Sequence, residues 1–153
     1  MSKNGKIIII GGGASGLAAA LAAAKECGGR CVTVLERLDR VGKKLLATGN
    51  GRCNLTNRNA APEYYHSTDT ARLADILERT PPDAVLDFFG EMGLLCDTQA
   101  DGRVYPYCYQ ASMVLDVLRA ALERAGVDVV CSCEVAEVEK GPGGFSVRTR
   151  DGR

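Results

Sequence analysis

Three glycines, Gly11, Gly13 and Gly16, stand in the spacing G-x-G-x-x-G, and a carboxylate, Glu36, follows twenty residues after the last of them. That pattern suits the holding of a pyrophosphate and a ribose. Gly11 lets the chain turn sharply. Gly13 has no Cβ, so a pyrophosphate can approach the backbone. Gly16 lets a helix pack close to a sheet. A helix that begins here presents free N–H groups and the positive end of its dipole to the phosphates. Glu36 can accept hydrogen bonds from both ribose hydroxyls of an adenosine.

The elements that must position these residues lie on either side. Ile7, Ile8, Ile9 and Ile10 read as a strand buried on both faces of a parallel sheet. The alanine-rich stretch from Ala14 to Cys27 predicts a helix, ended by Gly28 and Gly29. Cys31 to Leu35 predicts the second strand, and the β-α-β unit closes at Glu36. The competing reading is a glycine-rich turn in a phosphate-free α/β fold. A signal peptide or membrane span also fits the uncharged run 7–24, preceded by Lys3 and Lys6. Three consecutive glycines interrupt that run after only four apolar residues, which favours the strand.

Composition narrows the function classes. The 153 residues suffice for one domain with one core. A quarter are charged, and the formal net charge is zero, so neither a nucleic-acid partner nor a membrane surface is expected. Seven cysteines occur with no C-x-x-C, which signals neither a dithiol redox pair nor a zinc ribbon and suits a reducing cytoplasm. His66 is the only histidine, so no metal site and no Ser-His-Asp triad are expected.

Residues 37–58 hold six basic side chains and one acidic one, with Gly42, Gly49 and Gly51 among them. This is a poor helix or strand and a good anion-binding loop, leaving the tip of the strand that carries Glu36. The alternative is a solvated basic surface loop. Residues 59–67 form a polar connector. Helical spacing covers Asp69 to Thr80. A second helix follows, with Thr80 as N-cap and Pro81 at its first position. Leu94 to Tyr109 predicts a hairpin around Ala100-Asp101-Gly102. A helix over about Gln110–Ala125 turns Val114, Val117, Leu118, Ala121 and Leu122 inward. Val127 to Ser132 follows as a third parallel strand. Residues 134–139 and 145–150 form a last hairpin around Gly141-Pro142-Gly143-Gly144. The chain reaches Asp151-Gly152-Arg153, a hairpin signal, with no strand after it. Three parts are expected: 1–58, a β-α-β unit and anion-binding loop; 59–126, a helical and hairpin insertion; and 127–153, a third strand and hairpin.

The Ile7–Glu36 unit, the run Gly42 to Asn57 with its Gly51-Arg52-Cys53-Asn54-Leu55-Thr56-Asn57, and Gly102-Arg103-Val104-Tyr105-Pro106 with its following helix resemble one flavoprotein family. It is the bacterial group of aminoacetone-oxidase-like, or BaiN-like, NAD(P)/FAD-dependent oxidoreductases. The first motif is shared by many FAD enzymes; the Gly-Arg-Cys-Asn-Leu-Thr-Asn run is far more specific. The resemblance implies an α/β, Rossmann-like FAD-binding domain with a parallel sheet and the start of a β-meander, truncated before a second domain. It implies FAD as cofactor, with NAD(P)H as a possible electron donor, and a missing C-terminal part of the same protein. In such flavoproteins Gly11, Gly13, Ala14, Ser15 and Gly16 hold the pyrophosphate and Glu36 the ribose. Arg37 and Lys44 border that half of the cofactor. Gly49, Gly51, Arg52 and Asn54 pass toward the flavin, and Val135 matches the strand whose backbone meets the adenine.

Other residues carry open alternatives. Arg52 can bind a phosphate, steer a substrate carboxylate, stabilise reduced flavin, or face solvent. Cys53 is read as small-residue packing rather than a redox thiol, Tyr105 and Tyr107 as half-buried packing rather than pocket walls, and His66 as a surface or structural residue. No catalytic residue is assigned. The leading function is hydride transfer between flavin and NAD(P)H or a small organic substrate. The alternative is a non-catalytic fragment or module that binds FAD or NAD(H).

Overall fold

The computed structural model describes residues 5–152. Lys3, weighed in the signal-peptide reading, and Arg153 lie outside the described residues. The elements run β1 (Ile7–Ile10), α1 (Ala14–Cys27), β2 (Val32–Leu35), β3 (Thr56–Asn57), α2 (Thr70–Arg79), α3 (Pro82–Glu91), β4 (Cys96–Thr98), β5 (Arg103–Pro106), α4 (Ala111–Ala125), β6 (Asp128–Val130), β7 (Val135–Gly141) and β8 (Gly144–Thr149). The fold is a Rossmann-type α/β arrangement on a parallel sheet. The chain divides into two compact units.

The first unit comprises residues up to Leu45 and from Leu118 onward. Its sheet has the order β1-β2-β6, both pairings parallel, with Ile9 opposite Val34 and Val34 opposite Val129. Val32 and Val34 are fully buried, as a central strand requires, and Leu17, Ala20 and Ala24 bury one stripe of α1. The expectation for β1 is corrected: it is an edge strand in the described sheet, and Ile7, Ile8 and Ile10 are exposed, Ile10 by 53%. A run of β-branched residues reports that a strand suits burial on both faces, not that both faces are covered. The β7–β8 hairpin pairs antiparallel as expected, from Val135 opposite Thr149 to Gly141 opposite Gly144.

The second unit, Leu46–Val117, is inserted in sequence between β2 and β6. It holds a small antiparallel sheet, β3-β5-β4. The expected hairpin is present, and Gln99 N–H donates to Arg103 O at 2.8 Å across its turn. The expected loop over 37–58 is more structured than its composition suggests. A 3-10 stretch spans Leu45–Gly51, interrupted at Thr48, Gly49 and Asn50, and β3 pairs Thr56 with Val104. Glycine and asparagine are weak strand formers by themselves, and the partner β5 supplies the ladder. The N-cap of α3 is Pro81, with Pro82 at the first helical position, one residue later than the expected Thr80 and Pro81. In α4, Val114, Leu118, Ala121 and Leu122 are buried as expected. Leu115 is buried too, while Val117 is only half-buried.

No helix among the described residues is long and apolar enough to cross a membrane. No group of His, Cys, Asp and Glu among them could hold a metal ion.

Candidate functional site

In the first unit the site lies at the carboxyl ends of β1 and β2, where open parallel sheets leave a crevice. Gly11 follows β1 with φ of +101°, a value that L side chains rarely adopt. Its N–H donates to Leu35 O at 2.8 Å and ties the turn to β2. A Cβ on Gly16 would sit 1.9 Å from Gly11 O, so only glycine lets α1 come this close to the turn. Gly13 is different. It is extended (φ −77°, ψ −179°), it is exposed, and a Cβ there would meet nothing within 4 Å. Gly13 is the N-cap of α1 and makes no side-chain cap hydrogen bond, and Ala14 and Ser15 are exposed beside it. The helix start is open to an anion.

Glu36 is only 8% exposed. Its Oε2 accepts from Gly12 N–H at 2.7 Å and its Oε1 from Leu38 N–H at 2.9 Å. A carboxylate has about four acceptor sites, so each oxygen keeps one free for a hydroxyl donor. Its main chain is fixed too. Glu36 N–H donates to Val130 O at 2.9 Å, and Glu36 O accepts from Cys133 N–H at 2.9 Å. Gly12 completes the cradle. A Cβ at Gly12 would lie 2.4 Å from Val41 Cγ1, and Gly12 O accepts from Gly42 N–H at 2.7 Å. Gly12 was not among the expected site residues because the motif leaves that position unspecified. The run of three glycines was the available signal. Arg37 and Lys44 are exposed in the same unit, and Val135, at the start of β7, is half-buried.

In the second unit, Gly49 (φ +55°), Asn50 (φ +56°), Gly51 (φ +80°) and Cys53 (φ +58°) take left-handed backbone conformations. Arg52 is half-buried rather than turned wholly to solvent. Its guanidinium lies 4.6 Å over the Tyr105 ring, and its Nε donates to Gly49 O at 3.3 Å. Cys53 is buried, as packing requires, and burial pushes its thiol above the usual range. Asn54 is exposed. Tyr105 and Tyr107 are not the half-buried pair expected: Tyr105, inside β5, is 2% exposed, whereas Tyr107 is 69% exposed because it lies past the end of that strand, in the turn that follows. Tyr109 donates its hydroxyl proton to Asp97 Oδ2 and accepts from Gln99 Nε2 at 3.2 Å. The bond to Asp97 holds its phenol above the ordinary range. His66 is exposed, and all seven cysteines are free.

Residues 5–153 match the family model described as the HI0933-like protein Rossmann domain. The chain belongs to this family. The HI0933-like chain is 40% identical over 143 residues to a 3-dehydro-bile acid delta(4,6)-reductase from Clostridium scindens, a match covering 94% of this chain and 35% of that protein. It is 30% identical over 141 residues to a ribosomal RNA dihydrouridine synthase from Haemophilus influenzae, covering 92% of this chain and 34% of that protein. The chain thus spans about a third of the length of the curated relatives it matches. Among solved structures, a 3-ketosteroid-delta4-(5alpha)-dehydrogenase from Rhodococcus jostii shares the fold, with a TM-score of 0.69 at 15% identity over 95% of this chain and 41% of that one. A flavocytochrome c3 fumarate reductase does so with a TM-score of 0.62 at 14% identity, over 95% of this chain and 32% of that one.

Proposed function

We propose that this HI0933-like domain is the FAD-binding portion of an oxidoreductase. The observation that carries the reading is the uncapped, open start of α1 at Gly13 in one unit with a buried Glu36 pinned by Gly12 N–H at 2.7 Å. Those residues fit a dinucleotide. Gly13 leaves room for the pyrophosphate, the first-turn N–H groups of α1 donate to it, and Glu36 accepts from the adenosine ribose. Arg37 and Lys44 add positive charge beside the phosphates, and the backbone at Val135 takes the adenine edge. The free lone pairs of Glu36 favour ribose hydroxyls and repel a 2′-phosphate, which suits FAD or NAD(H) over NADP(H) in this first site. FAD supplies hydride acceptance and donation at its isoalloxazine ring; the protein orients it and excludes competing reactions.

A relative named as a reductase supports a reductive reaction; in this reading NAD(P)H would supply the hydride and a small organic substrate would receive it. The substrates of the two named relatives differ so widely that neither is carried over. The test is the visible spectrum of the purified chain before and after FAD is added, followed by desalting. Retained flavin absorbance supports the reading. A folded protein that retains none, by circular dichroism and absorbance together, favours a module that needs the rest of its protein to close the site. Binding of NAD(H) in preference to FAD overturns the flavin reading.

A further inference from the structure

Backbone strain in the second unit converges on one side chain. Asn50 (φ +56°), Cys53 (φ +58°) and Tyr109 (φ +55°) are non-glycine residues in the left-handed region, a strained conformation that concentrates at functional sites. All three lie in the segments that bracket Tyr105. A Cβ on Gly49 would stand 3.3 Å from Tyr105 Cε1, the Arg52 guanidinium lies 4.6 Å over the Tyr105 ring, and the Tyr109 ring centroid is 5.7 Å from it.

The product of this arrangement is a fixed, uncommitted guanidinium. Arg52 is held at one face by Tyr105 and at Nε by Gly49 O. Its two terminal nitrogens make no hydrogen bond or ion pair among the described residues. Acidic residues outnumber basic ones two to one over 46–117, and three other arginines there are paired: Arg58 with Asp83, Arg79 with Asp75, and Arg103 with Asp101. Asp97 is engaged by Tyr109, from whose hydroxyl it accepts a hydrogen bond, and Tyr109 lies within electrostatic reach of Arg52. A half-buried arginine with an immobilised stem and a free fork of N–H donors matches a planar oxyanion held by two parallel hydrogen bonds.

We propose that Arg52 anchors the carboxylate of a small-molecule substrate, with Tyr105 as its rigid floor and Tyr109 as a positioning residue that keeps Asp97 from neutralising it. The word substrate rests on the oxidoreductase reading; the anion site does not. A phosphate of the nucleotide has the same anionic oxygens, and the experiment separates the two sources.

The experiment follows the Arg52 Nε–H resonance of the intact chain, assigned by its loss in Arg52→Lys, while benzoate, its neutral isostere benzamide, or inorganic phosphate is added. Benzoate is expected to shift the resonance saturably and benzamide not. Arg52→Gln should weaken benzoate at least tenfold while the thermal melt stays in place. Tyr109→Phe should weaken it several-fold, and Tyr109→Phe with Asp97→Asn should restore it, a rescue that a merely structural role for Tyr109 would not give. Equal response to benzamide, or unchanged affinity in Arg52→Gln, overturns the anion site. Displacement of benzoate by FAD or tighter binding of phosphate overturns the substrate assignment and gives Arg52 to the cofactor. Flavin retention is read separately at its own absorbance. A chain that binds benzoate but no FAD therefore fails the proposed function alone.

Discussion

Gly12 and Gly13 are neighbours with opposite constraints. At Gly12 a methyl group would run into Val41 Cγ1 at 2.4 Å and Cβ at 2.9 Å. Valine is β-branched and has no other staggered rotamer without its own cost. Gly12→Ala is therefore expected to lower stability by about 1–3 kcal/mol through overpacking, seen as a lower midpoint in urea. Gly13→Ala meets open space in an extended conformation, so the urea midpoint should hold while FAD affinity falls. The contrast isolates a glycine kept for packing from one kept for a ligand. A second residue-level outcome concerns Tyr109, whose phenol is held up by the carboxylate of Asp97. Asp97→Ala should bring that ionisation down in a titration followed at 295 nm. The sign for stability follows from the raised folded value. The Tyr109–Asp97 bond contributes fully below the unfolded phenol pKa, and its contribution is lost as pH rises through the folded one. Wild type and Asp97→Ala should thus differ in neutral solution and converge in alkali.

Elements differ in how much their own residues dictate. α1 was legible to the residue, because an alanine-rich run between a glycine N-cap and Gly28 leaves little choice of boundary. α2 is held at its start by Asp69, whose carboxylate accepts from Arg72 N–H at 2.9 Å, and none of its residues is buried. Capping therefore carries an unusual share of its stability. Asp69→Ala should cost about 1 kcal/mol, read as faster amide exchange confined to 70–79 rather than as a shift of the global melt. β3 was not legible at all. Two residues of a polar loop became a strand because β5 offers Val104 and Arg103 as partners, and pairing across nearly fifty residues leaves no local signal. The exposed isoleucines of β1 make the complementary point: the propensity was read correctly and the environment was not.

For the whole molecule, the testable consequence of the nucleotide reading is linkage. A ligand that binds only the folded chain stabilises it by about 2.7 kcal/mol at one hundred times its Kd. Saturating FAD should raise the thermal midpoint by several degrees, NADP(H) by much less, and Gly13→Ala should remove the FAD shift without changing the unliganded midpoint. An equal shift with NADP(H) would contradict the role given to Glu36.

Local spacing determined the β-α-β unit that carries the proposed nucleotide site. A strand, a G-x-G-x-x-G turn, a helix and a second strand ending in an acid are written within thirty residues, and each step follows from propensity, glycine geometry and the helix dipole. The tertiary structure alone decided the rest. It placed Gly12 against Val41 and both Glu36 oxygens on backbone N–H groups. It also stacked Arg52 on a tyrosine more than fifty residues away. Those contacts join residues that are remote in sequence, and composition and periodicity carry no record of which remote groups will meet.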